Sequence, residues 1–370
     1  MTTTTTELTG SGAAPDAAPL APVKRRGGGG GGGLGSYLLI RFLLIFPTVF
    51  ILVTTVFVLM RSTGDPITAA LGGRLTREQL AERVHAAGYD RPILTQYWEY
   101  LSGIFRGDFG TTISDNRPVS EVLTTYGAAT LELAVYALLV AFVVGIPLGR
   151  LAAYFRDKWP DAALRVFAIL CYATPVFFFG LLLKLVFAVN LGWLPVAGRA
   201  STGAEIQLQT LDGSTGIYLL DAIKLGDVEV VSDVLQHAVL PAVALGLLTA
   251  GVFLRLVRTN VIGTLGMGYV EAARSRGVPE RRLLRKHAYR PALIPIVTVI
   301  GLQIALLLSG AVLTETTFEW KGLGFQLTEY LQARDFVAVQ GIVVLLAVIV
   351  AVTNFIVDVI AALIDPRVRY

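Results

Sequence analysis

Catalysis needs nucleophiles, acids, bases or metal ligands at workable spacing, and this sequence is poor in all of them. Its three histidines, His85, His237 and His287, fall in different segments. Its one cysteine, Cys171, permits neither an internal disulfide nor a thiolate metal cluster. No lysine follows a glycine, so the GK[ST] end of a phosphate-cradling loop is absent, and neither Gly-x-Ser-x-Gly nor His-Glu-x-x-His occurs. The spacing with most to offer is Glu271-Ala272-Ala273-Arg274-Ser275-Arg276-Gly277, followed by Val278-Pro279-Glu280-Arg281-Arg282. Tyr269–Arg276 suits a short helix with Glu271 near its positive end. The alanines leave a face thin enough to enter a groove, and Gly277 permits a sharp exit. That is chemistry for docking on another protein. Taken alone, the stretch is equally an ordinary basic loop that holds topology.

The elements that must position it are set by composition. Of 370 residues, 54% are hydrophobic and only 16% charged, and the mean hydropathy is +0.65. Soluble domains carry about 25% charged residues, so a water-soluble enzyme is excluded. Six windows are long and apolar enough to cross about 30 Å of hydrocarbon. They are Phe42–Met60, Leu133–Gly149, Val166–Val189 (interrupted by Lys184), and the stretches Asp233–Arg255, Arg290–Glu315 and Asp335–Asp358. The sequence therefore predicts an all-α integral membrane protein with six transmembrane helices. Alternating ten-residue strands are missing, which argues against a membrane β-barrel.

Lys and Arg orient the chain. The segments at 24–41, 150–165 and 255–290 are basic, whereas 191–235 and 314–335 hold two Lys/Arg each against six and four acids. Both termini are expected in the cytoplasm. Residues 1–36, ending near the glycine run Gly27–Gly33, read as a disordered cytoplasmic tail, and 37–60 as the first span. Segment 61–127 is too long for a connector and reads as a small helical extracytoplasmic subdomain. Thr76-Arg77-Glu78-Gln79 has capping-box form, Gly88 can close that helix, and a second helix is expected over Tyr97–Phe105. Residues 128–370 form the core with five spans and a cytoplasmic loop at 259–290. Glu132, Lys184 and Asp358 lie inside apolar windows with no partner evident along the chain. Lys184 and Asp358 read as snorkelling residues, while for Glu132 a functional role stays open. Scattered charges argue against the ion relay of a self-sufficient secondary transporter.

With these residues in view, a resemblance is plain. EAA-x3-G in the penultimate cytoplasmic loop is similar to the signature by which permease subunits of ABC importers dock on their ATPases. Other stretches resemble the dipeptide/oligopeptide/nickel branch of that family. They are Asp90-Arg91-Pro92, Arg106-Gly107-Asp108-Phe109-Gly110, Leu191-Gly192-Trp193-Leu194-Pro195, Glu315-Thr316-Thr317-Phe318-Glu319-Trp320-Lys321-Gly322-Leu323-Gly324 and the closing Asp365-Pro366-Arg367-Val368-Arg369-Tyr370. The likeness covers Tyr37 to Tyr370. His287-Ala288-Tyr289-Arg290 departs from the general importer pattern, and Lys321 stands where the branch often has proline. The resemblance implies a type I importer permease fold and, as ATPase-coupling residues, Glu271, Ala272, Ala273, Arg274, Ser275, Gly277 and Arg281. It implies a bacterial plasma-membrane location and a paralogous permease, ATP-binding subunits and an extracytoplasmic substrate-binding protein as partners. ATP and Mg would sit on those ATPases, with no cofactor and no nucleic acid on this chain. Bends for alternating access would come from Pro147, Pro175 and Pro295. Di- or oligopeptides are the implied cargo, with nickel chelates or other small solutes as the alternative.

Overall fold

The computed structural model of the chain describes residues 34–364. Most of the N-terminal tail and the closing Asp365–Tyr370 motif lie outside the described residues. Helices account for most of the described residues. The first, α1, spans Leu34–Ser62, and the short helices α2 (Pro66–Leu71), α3 (Arg77–Ala86) and α4 (Ile93–Arg106) follow it. The Thr76 hydroxyl accepts from the Gln79 amide and the Gln79 side chain accepts from the Thr76 amide, which is the expected capping box at α3. Gly88, just past its end, has φ +75°.

The core begins with α5 (Val119–Tyr154), α6 (Trp159–Ala173) and α7 (Val176–Leu183), the last widening into a π-helical turn over Lys184–Asn190. After α8 (Thr202–Gln209) and α9 (Tyr218–Leu225) comes α10 (Val228–Leu265). Next are α11 (Gly268–Ser275), α12 (Glu280–Arg282), a π-helical turn at Leu283–Ala288 and α13 (Tyr289–Phe318). The chain closes with α14 (Leu323–Gln332) and α15 (Phe336–Ile364).

Among the described residues, α1, α5, α10 and α15 are each long and apolar enough to cross a membrane, and two bent pairs bring the number to six if each is one span. The window Val166–Val189 is not a straight span. It turns through 105° between α6 and α7. Pro175 lacks an N–H and disfavours helical geometry at the residue before it, so Thr174 is extended at φ −79°, ψ 126°. Within α13 the axis bends by 41° between Val299–Leu308 and Gly310–Phe318.

Among the long helices α10 is the hub, with the most buried apolar window. Glycines let its neighbours touch backbone to backbone. A Cβ on Gly145 or Gly149 of α5 would lie 2.6 or 2.7 Å from the carbonyl oxygens of Ala250 and Leu254, and one on Gly246 would lie 2.6 Å from that of Ala137. The pairs rise together along both chains, so α5 and α10 run parallel. Without a hydrophobic drive between helices in lipid, such close approach is a main source of association. The first span, α1, leans mainly on α15, through Phe42 against Phe355 and Arg41 at 3.4 Å from Asp358.

Candidate energy-coupling site

At the shared end of α5 and α10 the chain leaves the bundle as α11. One side chain of this helix, Val270, is fully buried, while Glu271, Ala272, Arg274 and Ser275 are exposed. Glu271 lies in the first turn, where amide dipoles favour an acid. The helix ends in a Schellman closure. Gly277 at φ +78° donates to the Arg274 carbonyl at 2.9 Å, and Val278 donates to that of Ala273 at 3.3 Å. Arg274 turns back to Glu280, its Nε 2.6 Å from a carboxylate oxygen, and that bond holds the guanidinium above its ordinary pKa.

The following π-helical turn anchors this loop. Leu283, Leu284 and Ala288 are buried, and the last two join Ala153 of α5 and Val257 and Val261 of α10 in one apolar cluster. The Tyr269 hydroxyl reaches the His287 carbonyl at 3.3 Å. Arg281, with Arg282, Arg285 and Lys286, lines a basic cavity of about 670 Å³. The structure thus brings together all the residues expected from sequence: Glu271, Ala272, Ala273, Arg274, Ser275 and Gly277 form one short helix with its exit, and Arg281 stands on the adjoining basic wall. Arg274, however, is engaged within the loop. Sequence reading missed Val270, Glu280 and the π-helical anchor. A lone valine in a polar stretch was the one visible hint.

The opposite end of α5 carries a buried polar lock. Glu132, which reads along the sequence as unpartnered, lies 2.5 Å from Nη2 of Arg199 and accepts from the Tyr136 hydroxyl and the Leu219 amide, both at 2.9 Å. Arg199 stacks on Tyr218, 3.6 Å from its ring centre. Lys184 and Asp358 also have partners, the Thr317 carbonyl at 3.1 Å and Arg41. The expectation of three partnerless charges is therefore wrong. The Glu315–Gly324 motif is part of the same lock. Buried Glu315 accepts from Thr130 at 2.7 Å and from the Phe325 amide at 2.9 Å, and the Trp320 indole donates to the Ala129 carbonyl at 3.0 Å. Gly322 leaves room for the Glu315 carboxylate, since a Cβ there would sit 2.5 Å from it. Lys321 lies 3.7 Å from Glu205 on α8.

An exposed, glycine-terminated EAA helix riveted to paired spans invites comparison with known transporters. The sequence model of the family described as "Binding-protein-dependent transport system inner membrane component" matches residues 145–370. The chain belongs to this family. A companion model for the N-terminal part of such membrane components matches residues 35–122. The permease is 36% identical to the di/tripeptide transport system permease protein DppB of Pseudomonas aeruginosa, over 90% of this chain and 99% of that one. It is 37% identical to the dipeptide transport system permease protein DppB of Escherichia coli, over 83% and 90% of the two chains. To the glutathione transport system permease protein GsiC of Salmonella typhi it is 32% identical, over 90% and 99%. The permease is thus a multi-pass inner-membrane component of a binding-protein-dependent importer. Membership implies ATP-binding subunits and a substrate-binding protein as its partners.

Proposed function

We propose that this permease carries di- and oligopeptides, that α11 and both termini face the cytoplasm, and that the chain itself catalyses nothing. A paralogous permease forms the other half of the pathway. ATP and Mg are held by the ATPases, in keeping with a sequence that has no phosphate-cradling loop. The peptide cargo is supported by the similarity to permeases named for dipeptides and di/tripeptides. One observation carries the coupling role: α11 exposes Glu271, Ala272 and Ser275, buries Val270 and packs on the Leu283–Ala288 turn, which shares an apolar cluster with α5 and α10. A thin helical face enters a groove on the ATPase, and its rigid mount passes the displacement to the spans.

Two measurements test this reading. In a background without Cys171, Ser102→Cys and Ser214→Cys should react with an impermeant thiol reagent from outside, and Ser275→Cys should react only from inside. An ATPase should co-purify with the tagged chain and cross-link to Ala272→Cys. Outside labelling of Ser275→Cys would reverse the orientation, and failure to retain an ATPase would remove the coupling role.

A further inference from the structure

A cleft between α6 and α10 has a polarity that runs along its length. Arg165, Ile169 and Tyr172 follow one another on one face of α6 at i, i+4 and i+7. Arg258, Arg255 and Val252 line the facing side of α10, and the cavity between them is about 440 Å³. Arg165 and Arg258 lie towards the end where α6 begins, while Ile169, Tyr172 and Val252 continue deeper between the spans. The floor is closed where Gly251 approaches the Ala168 carbonyl, at 2.9 Å from the position a Cβ would take.

The charge along the cleft is unbalanced. Asp161 is fully buried and bound in bidentate fashion by Arg258, at 2.5 and 2.7 Å. Arg165 reaches the same carboxylate only at 3.8 Å and is half exposed. Among the described residues no carboxylate lies within ion-pair distance of Arg255, which instead stands 5.9 Å from the ring centre of Tyr172. Arg258 thus takes up Asp161, Arg165 is only loosely paired with it, and Arg255 has no acid within reach among the described residues. Ile169 and Tyr172 are both exposed.

A soluble anion would leave the apolar wall uncovered, and an apolar helix laid on the cleft would bury Arg255 unpaired. An amphiphile with a negative head and a chain directed into the bilayer matches both ends at once. We propose that the α6–α10 cleft is a site for an anionic phospholipid. Its phosphate lies between Arg165, near Asp161, and Arg255, beside Tyr172, and an acyl chain leaves over Ile169 and Val252. The proposed orientation makes this the cytoplasmic leaflet. Side-specific labelling at Ser275 tests that assignment separately.

The test is photo-crosslinking in the reconstituted importer complex, with a diazirine in the acyl chain of phosphatidylglycerol or of phosphatidylcholine. Phosphatidylglycerol should label peptides spanning 165–172 and 252–258 in preference to other lipid-facing segments, and phosphatidylcholine should do so far less. Removing both cations with Arg165→Ala and Arg255→Ala should weaken that labelling by about twenty-fivefold, about fivefold for each arginine near a charged surface. Arg255→Lys should keep most of it. Both variants leave the Asp161–Arg258 pair in place, and the probe comparison on the unaltered protein stands even if the double variant fails to assemble. Equal labelling by the two probes, labelling that survives loss of both arginines, or competition by soluble glycerol phosphate would overturn the lipid site. So would cross-linking of Ile169→Cys to the partner permease in place of lipid.

Discussion

Gly277 offers a clean perturbation of α11, the proposed coupling helix. Its φ of +78° lies in the left-handed region, and a Cβ built there would meet nothing within 4 Å. The cost of a side chain is therefore torsional and owes nothing to crowding. A left-handed conformation costs about 1–2 kcal/mol for an ordinary L-residue, and a β-branched one lies at the upper end. At about 2 kcal/mol, Gly277→Val makes the closed exit about thirtyfold less favourable against its unwound alternatives. The chain relieves that strain by giving up the bonds from residues 277 and 278 to Arg274 and Ala273, which unwinds the last turn of α11. Gly277→Asn, whose side chain tolerates this region, should be nearly silent, and Gly277→Ala should fall between. The assay is substrate-stimulated ATP hydrolysis by the reconstituted complex, read beside ATPase co-purification and thermal unfolding of the permease. Stimulation should fall in the order Gly, Asn, Ala, Val while unfolding hardly moves, because Gly277 is exposed and buries nothing in lipid. Wild-type stimulation and ATPase retention in Gly277→Val would mean that the exit geometry carries no coupling.

Glu271→Lys reverses the charge at the positive end of α11, worth about 0.3–1 kcal/mol, and should weaken ATPase co-purification more than Arg281→Ala on the neighbouring wall. Gly246→Ala must push α10 away from the Ala137 carbonyl and should lower the unfolding temperature, whereas Gly263→Ala, with nothing within 4 Å, should raise stability by about 0.5–1 kcal/mol. Size-exclusion profiles after heating separate the two. Removing one member of the buried Glu132–Arg199 pair should cost about 3–5 kcal/mol, and Glu132→Gln with Arg199→Met should cost less than Arg199→Met alone, as a double-mutant cycle in detergent would read. Burial pushes the Asp221 carboxyl up, but the Thr215 and Gly216 amides and the Ser214 and Thr215 hydroxyls outweigh it and hold its pKa below the ordinary carboxylate value. A depressed pKa stabilises the fold above the unfolded value and loses that contribution as pH falls through the folded one. Asp221→Asn should therefore destabilise the α8–α9 segment at neutral pH, with the difference from wild type vanishing in acid, as proteolysis of that segment would report.

What the sequence made legible is what is encoded locally. Thr76 and Gln79 are three residues apart and meet as expected. Gly277 follows a helical stretch and has the positive φ its position implied. The apolar windows became helices because a backbone in lipid has few other ways to satisfy its hydrogen bonds. Pairings across the chain left no such trace. Glu132 finds Arg199 across 67 residues and Asp161 finds Arg258 across 97, with no period linking either pair. The helices α8 and α9 were hidden for a related reason. Each is eight residues long, too short to show an amphipathic period, and their buried Leu208, Tyr218 and Ala222 pack on Val230 and Val234 of α10.

The same long-range contacts bear on how motion passes through the permease under the proposed mechanism. At one end, the Leu283–Ala288 turn shares an apolar cluster with α5 and α10, so a displacement of α11 acts on both helices. Along their length, Gly145, Gly149 and Gly246 bring backbones into contact, which leaves little room for one helix to slide past the other. At the far end, Glu132 holds Arg199 and the Leu219 amide, while Thr130 holds Glu315 and the Leu323 amide. The outer segments therefore hang on α5. A push on the ATPase side is then delivered to them by one pair of continuous helices, α5 running unbroken through the Pro147 expected to bend it, and the compliance lies in the bends. Those are the turn at Thr174–Pro175 and the 41° break in α13, which sit in the two spans that flank this pair.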